Sequence, residues 1–526
     1  MTHLGVADLV GHARSAPVIR QLPLSNLHRL NSSLRPPASQ NTPRPQIVAQ
    51  HPETCRRADH ACSFKRPLCS SRFALGLMHD GVDGRVGEMK YGFLFFATIC
   101  VPFPALAEDG DAVPLAWLEQ VASPLDEGAV LDGLIESMGD RRLVLLGEST
   151  HGTHEYYAWR DRISRRLIDE AGFRFILVEG DWASLHELNR YVKDMPGAAA
   201  SAREALAAQQ RWPEWLWANE ETLALAEWLR EWNSRRDAEA RVGFHGKDVY
   251  GPWGSIELVS AFAEAHLADD RERIAGKLAP MRAHRDDIGG YVRGHHDRQA
   301  EVLAGYAEVL EMLREARSGE GMDASEWFAA KQATHVVKGA HRHFMAMAGP
   351  GPHSWNRRAE HMHQTAHRLL DRHGEDARGI VWAHNTHIGD ARATGMAGRG
   401  EVNIGQLARE SLGRDVVFSL GFATHRGRVI AGREWGGARE TMTLPPGTPG
   451  SLEAILNARF PTGVLLRTGD ATAAAAQGEI VPHRAVGVIY HPENEAGNYV
   501  PTRLSERYDA LIFLPETRAL TPLDAG

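Results

Sequence analysis

Short apolar runs alternate with amphipathic helical stretches along most of this 526-residue chain, and this alternation constrains its fold more than any other feature. Eight runs have the length and composition of buried strands, namely 143–146, 175–178, 242–244, 380–382, 416–420, 464–466, 486–489 and 511–513. Helical patterns lie between them at 155–171, 213–234, 255–267 and 356–373. We therefore predict an α/β fold, with a mixed or mainly parallel sheet core flanked by helices.

One long interval, from about 255 to 374, breaks this alternation. It contains no convincing strand pattern and is rich in Ala, Glu, Arg and His. A helical segment of this length between two strands has to lie outside the sheet. We expect a large helical insertion, or cap, in the sheet-forming chain.

The first 88 residues differ from the rest in composition. They are rich in Pro, Ser, Arg and His and show no sustained helix or strand period. No packed structure is predicted there, and we interpret residues 1–88 as a disordered extension or as the product of a misplaced start.

A secretory signal peptide is indicated at 89–107. Met89-Lys90 is followed by the apolar run 91–101, then by Ala105-Leu106-Ala107 and an acidic pair. This order matches a basic start, an apolar core too short to span a membrane and a small-residue cleavage site. A buried helix or strand of similar composition is the alternative. We expect translation from Met89, export to the periplasm or medium, and a catalytic domain at 108–526.

The positions of the cysteines and of the charged residues limit the chemistry and the partners of the exported part, residues 108–526. All four cysteines, Cys55, Cys62, Cys69 and Cys100, precede the expected cut, so we expect neither disulfides nor thiolate metal sites after it. The chain has 59 basic and 67 acidic residues, and 12 of the basic and 6 of the acidic residues lie in 1–107. The remaining 47 basic and 61 acidic residues give 108–526 a net charge of −14. An acidic body argues against nucleic acid or an anionic membrane surface as a partner.

Ionisable residues follow the strand at 143–146, in Gly147-Glu148-Ser149-Thr150-His151-Gly152. The loop after a buried strand is where α/β sheets build reaction sites. A carboxylate three residues from a histidine can orient the ring and increase its basicity, which makes His151 a candidate general base with Glu148 as its support. The alternative is that both residues only cap and solvate the start of the next helix.

Ser149 and Arg160, in and after this motif, differ in the roles that they can have in a reaction. Ser149 lacks the glycine two residues later that a nucleophile elbow requires, so we do not interpret it as a nucleophile. Arg160 lies nine residues after His151 on the following helix. It is either an exposed charge or the partner of an oxyanion or carboxylate.

Two further strands end in candidate site residues. Glu179 closes the strand at 175–178, where a carboxylate after four apolar residues favours a functional interpretation. His384 and His387 follow the strand at 380–382, with Asn385 and Thr386 between them as turn formers. Two histidines at this spacing can bind a metal, act as acid and base, or donate hydrogen bonds to an oxyanion.

These residues, taken together and in order, resemble the erythromycin esterase family. The resemblance runs from about 115 to about 518 and is carried by Gly147-Glu148-Ser149-Thr150-His151-Gly152, Trp159-Arg160, Val178-Glu179-Gly180-Asp181-Trp182, Val242-Gly243-Phe244-His245-Gly246-Lys247-Asp248 and Trp382-Ala383-His384-Asn385-Thr386-His387. It implies a metal-independent hydrolase without a cofactor that opens macrolide lactones, or related small-molecule esters, with an activated water and no covalent intermediate. In this family His151 matches the general base and Glu148 its supporting carboxylate. The other residues of the cleft are Arg160, Glu179, His384 and His387.

One departure from the family pattern bears on the substrate. Family members commonly have an aspartate where this chain has Ala359, within Trp355-Asn356-Arg357-Arg358-Ala359. We expect this change to affect the shape of the cleft on its cap side, or the partner of Arg358.

Two other functions remain open on sequence grounds. A metal-dependent hydrolase could use Glu148, His151, Glu179, His384 and His387 as ligands, although Arg160 in the same cleft argues mildly against a cation there. A secreted binding protein that has lost catalysis is the second alternative. Against it, every polar position of the family's cleft is occupied.

Overall fold

The structure, a computed structural model, describes residues 115–209, 211–285, 287–317, 322–470 and 479–523. The extension at 1–88 and the signal peptide at 89–107 lie outside these residues, so both stay predictions. Within the described ranges, no helix combines the length and the apolar character that crossing a membrane requires.

The described residues form eleven strands. They are β1 (Ala122–Pro124), β2 (Leu143–Leu146), β3 (Phe175–Asp181), β4 (Gly243–Asp248), β5 (Gly379–Trp382), β6 (Val417–Gly432), β7 (Arg439–Leu444), β8 (Val464–Leu466), β9 (Val481–Arg484), β10 (Tyr499–Thr502) and β11 (Ala510–Thr517).

Fifteen α-helices accompany these strands in the described ranges. They are α1 (Glu127–Met138), α2 (His154–Ala171), α3 (Trp182–Val192), α4 (Ala202–Ala207), α5 (Glu220–Ser234), α6 (Pro252–His266), α7 (Arg271–Arg282), α8 (Ile288–His295), α9 (Gln299–Ala316), α10 (Ala324–Met347), α11 (His353–His373), α12 (Asn385–Ile388), α13 (Ile404–Leu412), α14 (Leu452–Arg459) and α15 (Leu504–Arg507).

The main sheet is mixed, with the order β1-β8-β11-β6-β2-β5-β3-β4, and β7 pairs with β6 outside this path. The six strands from β11 to β4 are parallel, whereas β1, β7 and β8 pair in the antiparallel sense. The prediction of a mixed or mainly parallel sheet flanked by helices is therefore confirmed. A separate two-stranded sheet joins β9 to β10.

Strand order brings four loops to one edge of the sheet. The chain runs from β2 out to β3 and β4, then returns to place β5 between β2 and β3. Because these four strands are parallel, their carboxyl ends lie at the same edge. Reversals of this kind open a crevice at that edge, which is where α/β proteins bind their ligands.

Both faces of the sheet are buried. Along β2, Leu143 and Leu145 join one apolar cluster, while Val144 and Leu146 join another on the opposite face. The first cluster is completed largely by α6 to α11, and the second by α1, α2, α3 and α5. Near-continuous apolar runs are what a parallel sheet covered on both faces requires.

The helical insertion is present as six helices, α6 to α11, between β4 and β5. Helix α10 packs against α6 and α11, and α11 also contacts β4 and β5. The insertion is therefore part of the cover of the sheet, and α11 is its point of contact with the strands that end at the crevice.

Two sequence predictions are wrong in detail. Residues 486–489 form no strand, since Val486 and Ile489 make only isolated bridges. Val486 is buried against β6 and β7, whereas Val488 and Ile489 are half-buried in a loop. The helix predicted at 213–234 begins at Glu220, where the side chain of Asn219 accepts a hydrogen bond from the backbone N–H of Thr222 and caps the helix.

Candidate active site

The loop between β2 and α2 is shaped by close contacts. A side chain on Gly147 would clash with Oδ1 of Asn385, and one on Gly152 would clash with the backbone of Ile430. Neither glycine has a positive φ. The two glycines are needed because Asn385 and β6 approach this loop closely, rather than for an unusual turn conformation. Thr153 stands at the N-cap of α2 without a side-chain bond to the helix.

Glu148 joins His151 to Arg160. Its Oε1 lies 2.9 Å from Nδ1 of His151, and its Oε2 lies 3.0 Å from Nη2 of Arg160. Because the carboxylate accepts at Nδ1, neutral His151 carries its proton there, which leaves Nε2 free to accept another. The contact between Glu148 and His151 that the sequence predicts is present in the structure.

Arg160 is completely enclosed. Its guanidinium lies over the rings of Tyr157 and Trp382, at 4.3 and 4.7 Å from their centroids. With no surface toward a substrate, Arg160 does not fit the alternatives of an exposed charge or an oxyanion partner. It is a carboxylate partner that balances and holds Glu148.

A second group of residues lies at the ends of β3 and β5. Glu179 Oε1 is 3.1 Å from Nε2 of His387, and Glu179 Oε2 accepts a 3.2 Å hydrogen bond from the backbone N–H of His384. The rings of His384 and His151 lie 4.9 Å apart, which connects this group to the loop after β2. The structure thus brings all six predicted site residues into one cluster.

Arg358, from α11, completes the cluster and was not among the predicted site residues. It donates 2.9 Å hydrogen bonds to Asp248 Oδ1 and to Glu179 Oε1, and a 2.6 Å bond to Asp248 Oδ2. Asp248 could have been found from the sequence, because it is the last residue of β4 and Glu179 lies near the end of the neighbouring β3. Ala359 is buried next to Arg358, whose partners are the carboxylates of the sheet.

Lys247 is a third charged residue that sequence reasoning missed. It is fully buried on β4, and its ammonium donates a 3.2 Å hydrogen bond to the carbonyl of Trp382 at the end of β5. Burial lowers the pKa of Lys247 to about 8, although Glu179 and Asp248 act in the opposite direction.

The three histidines of the cluster differ in the direction in which their pKa is shifted. Burial lowers the pKa of His151, but its hydrogen bond to Glu148 and the charges of Glu148 and Glu179 outweigh burial, and the net pKa is raised above 6.5. Burial, reinforced by His151, holds the pKa of His384 well below 6.5. Burial also lowers the pKa of His387. One histidine is therefore tuned as a base, and the other two stay neutral near pH 7.

The carboxylate of Glu179 is ionised despite its burial. Desolvation raises its pKa, but its contact with His387 and the charges of Arg358 and His151 together hold it well below 4.5. The same balance, with Arg358 as the dominant partner, lowers the pKa of Asp248. The cluster is a network of compensated charges rather than a set of free ligands.

The cleft is covered in this structure. None of the six predicted residues has more than 8% of its surface exposed. Trp355, from α11, stacks on His387 with ring centroids 4.7 Å apart. A small cavity of about 20 Å³ borders Glu179, beside Asp181 and Arg211, and its lining includes none of the three histidines. Because the cluster itself is buried, a substrate needs α11 or a neighbouring loop to move before it can reach His151.

Metal binding was the main chemical alternative for this cluster. In the part of the chain that the structure describes, no group of three or more His, Asp, Glu or Cys side chains is placed to share a metal ion. The oxygens of Glu148 and Glu179 face arginines and histidines instead, at distances of 2.9–3.1 Å. This arrangement suits direct acid–base chemistry.

Fold and site define an α/β protein with a charged acid–base cleft at the carboxyl edge of its sheet. The family model for erythromycin esterase matches residues 168–517, about two thirds of the chain. The chain belongs to the erythromycin esterase family. The match begins after Arg160, so the loop that holds Glu148 and His151 lies outside it. Family membership supports an ester hydrolase with a small-molecule substrate.

Solved structures show the same fold. A succinoglycan biosynthesis protein has a TM-score of 0.64 at 20% identity, covering 79% of this chain and 100% of its own. A Bacillus cereus protein gives the same TM-score and identity, with 78% and 98% covered. A mutant of the erythromycin esterase EreC, in its open conformation, has a TM-score of 0.54 at 16% identity and covers 76% of this chain and 96% of its own.

Proposed function

We propose that this protein hydrolyses the ester bond of macrolide lactones or related small-molecule esters with a water molecule that His151 activates. The observation that carries the proposal is the Arg160–Glu148–His151 chain, which leaves one ring nitrogen of a basic histidine free beside His384. A histidine oriented by a carboxylate is a suitable general base.

The reaction needs one proton transfer in each direction. Nε2 of His151 takes a proton from water as the oxygen attacks the ester carbonyl, and Glu148 stabilises the imidazolium that forms. The tetrahedral intermediate then expels the alkoxide, to which His151 returns the proton. The products are a carboxylic acid and an alcohol, which in a lactone remain on the same opened chain.

In this scheme His384 stabilises the oxyanion. Its Nδ1 lies 2.9 Å from the hydroxyl of Thr386 and accepts a 3.3 Å hydrogen bond from the backbone N–H of that residue, so neutral His384 carries its proton on Nε2. The ring lies beside His151, near the attacking water in this scheme. A neutral donor in a buried cleft gains strength as negative charge develops on the substrate.

Glu179, His387 and Arg358 have a supporting part in this mechanism. Glu179 fixes the backbone of His384 and the ring of His387, while Arg358 neutralises its charge. The same contacts connect α11 to the sheet, so opening of the cleft for substrate entry would involve them.

The substrate class is tested by mass spectrometry. The purified protein is incubated with macrolides, simple lactones and acyclic esters, and a gain of one water in the lactones, or cleavage to acid and alcohol in the esters, is measured. Hydrolysis of macrolides above the rate with acyclic esters supports the proposal. Hydrolysis of acyclic esters alone would move the substrate class away from macrolides, and no hydrolysis of any ester would contradict it.

Export fits such an activity, and we propose it on the strength of the sequence order at 89–107. An exported esterase would meet a macrolide before the drug reaches ribosomes, which suits a role in antibiotic resistance. Cell fractionation with N-terminal sequencing tests this. A mature N-terminus after Ala107 is expected, and native protein that retains residues 1–88 would refute it.

A further inference from the structure

Asn385 connects the two loops that carry the proposed chemistry. It lies between His384 and Thr386 and is fully buried. Its backbone N–H donates a 2.8 Å hydrogen bond to the carbonyl of Glu148, in the loop after β2. Its own carbonyl accepts a 3.1 Å bond from Arg507. A change in the position of Asn385 would therefore be transmitted to both loops.

The side chain of Asn385 is held at both ends. Its Nδ2 donates a 2.7 Å hydrogen bond to the carbonyl of Phe422 and lies 3.3 Å from Nε2 of His483. Its Oδ1 accepts a longer bond, 3.4 Å, from the N–H of Phe422. The space for Oδ1 exists because Gly147 has no side chain.

Behind Asn385 lies a buried carboxylate–histidine pair that the proposed mechanism does not use. Nδ1 of His483, on β9, is 2.7 Å from Oε1 of Glu453, on α14. The same oxygen accepts a 2.9 Å bond from the backbone N–H of Arg484. Both side chains of the pair have no exposed surface.

The protonation states of Glu453 and His483 are set by burial and by the groups around them. Burial raises the pKa of Glu453, but His483 and Arg484 outweigh burial and lower it, so the carboxylate is ionised. Burial lowers the pKa of His483, which is therefore neutral near pH 7. An ionised carboxylate only accepts, so Nδ1 of His483 carries the proton and Nε2 accepts from Asn385.

We propose that Glu453 and His483 are positioning residues of the active site, which fix the amide of Asn385 and thereby the alignment of the Glu148–His151 loop with the His384–His387 loop. The inference deepens the proposed function, because it assigns a buried pair outside the cleft to the geometry of the general base. Partners of this kind, one step removed from the reacting groups, orient the groups that they contact.

The first test uses no substrate. Histidine ¹⁵N NMR of the wild-type protein near pH 7 is expected to show His483 neutral, with its proton on Nδ1. The same spectra, recorded as a function of pH, give the pKa of His151, on which Glu148, Glu179, Arg358 and His384 act. A protonated His483, or a proton on Nε2, would overturn the proposed chain of hydrogen bonds.

Variants then test the transmission to His151. In Asn385→Leu the Nδ2 donor is lost without the addition of a charge, and in His483→Leu the acceptor for Asn385 is lost. In both, the pKa of His151 is expected to fall because its contact with Glu148 loosens. His483→Gln can still donate to Glu453 and accept from Asn385, so it should keep the wild-type value. An unchanged pKa of His151 in folded Asn385→Leu and His483→Leu would overturn the inference.

Kinetics supply the second readout. His483→Leu should lower kcat about 10-fold or more with KM nearly unchanged, since misplaced groups lose rate more than binding. His341→Leu is the matched control, because His341 is also a fully buried histidine with a 2.7 Å hydrogen bond, from Tyr291 in the helical insertion. It should lower the melting temperature similarly without changing kcat. An equal loss of kcat in both variants would show a general effect of stability and contradict the positioning role.

The proposed function and the positioning network can be refuted independently of each other. If the wild-type protein hydrolyses no ester while the pKa of His151 responds to His483, the proposed function is wrong and the positioning network stands. If hydrolysis occurs but the pKa of His151 and kcat do not respond to His483→Leu, the network is wrong and the proposed function stands.

Discussion

Arg358 donates a 2.9 Å hydrogen bond to Glu179, which joins the helical insertion to the end of β3 inside the proposed cleft. The same guanidinium holds Asp248 at the end of β4 through two further bonds. Two ionised carboxylates can therefore lie close together in a buried site, because the cation between them belongs to α11.

The first prediction concerns this cation. Arg358→Met removes the cation that the buried carboxylates of Glu179 and Asp248 share, which should lower the free energy of unfolding by about 3–5 kcal/mol. Chemical denaturation measures the change. The neighbouring Arg357→Met is the matched control, since Arg357 forms a half-exposed pair with Glu360 and its loss should cost less than about 1 kcal/mol. Equal effects of the two substitutions would contradict a buried network centred on Arg358.

The second prediction concerns pH. As a general base His151 works in its neutral form, so kcat/KM should rise with pH along a limb whose pKa lies above 6.5. In Glu148→Gln the contact that raises this pKa is weakened and burial dominates, so the limb should move to lower pH while kcat falls. A wild-type limb at or below 6.5, or a limb that Glu148→Gln leaves in place, would argue against the pairing.

The third prediction concerns Lys247. Because burial lowers its pKa to about 8, the folded protein binds this proton less tightly than the unfolded chain does, and the ammonium destabilises the fold below pH 8. Lys247→Met should raise the free energy of unfolding at pH 7 by about 2 kcal/mol, after the loss of one hydrogen bond. The gain should shrink as pH rises from 8 toward 10.5. A gain that does not vary over this range would show that Lys247 is not charged in the fold.

The fourth prediction concerns metal. The oxygens of Glu148 and Glu179 are already engaged by arginine and histidine, so hydrolysis should survive exhaustive dialysis against EDTA. Elemental analysis of the dialysed protein accompanies the assay. Activity that is lost on dialysis and returns with one divalent metal would favour the metal-dependent alternative.

Much of the cleft follows from local sequence and one rule of topology. Glu148 and His384 follow the apolar strands β2 and β5, Glu179 follows the apolar first residues of β3, and parallel strands place their carboxyl ends at one edge. Asp248 obeys the same rule and was overlooked because its strand, with Gly243 and Gly246, has a weak apolar pattern.

Other parts of the structure cannot be predicted from the sequence in this way. Arg358 is separated from Glu179 by 179 positions, and only the packing of α11 on the sheet brings them together. The predicted strand at 486–489 failed for the converse reason, since apolar residues in a partly buried loop resemble a strand. Strands β9 and β10 each contain a proline and have little apolar character, so their pairing is visible only in the fold.

The general base is tested most directly by His151→Asn, compared with His154→Asn as its matched control. His154 also holds a carboxylate at Nδ1, 2.7 Å from Glu221, but this partly exposed pair lies outside the cleft. With an ester that the wild-type protein hydrolyses, the formation of hydrolysed product should fall at least about 100-fold in His151→Asn and remain at the wild-type rate in His154→Asn. Unchanged hydrolysis in folded His151→Asn would contradict water activation by His151.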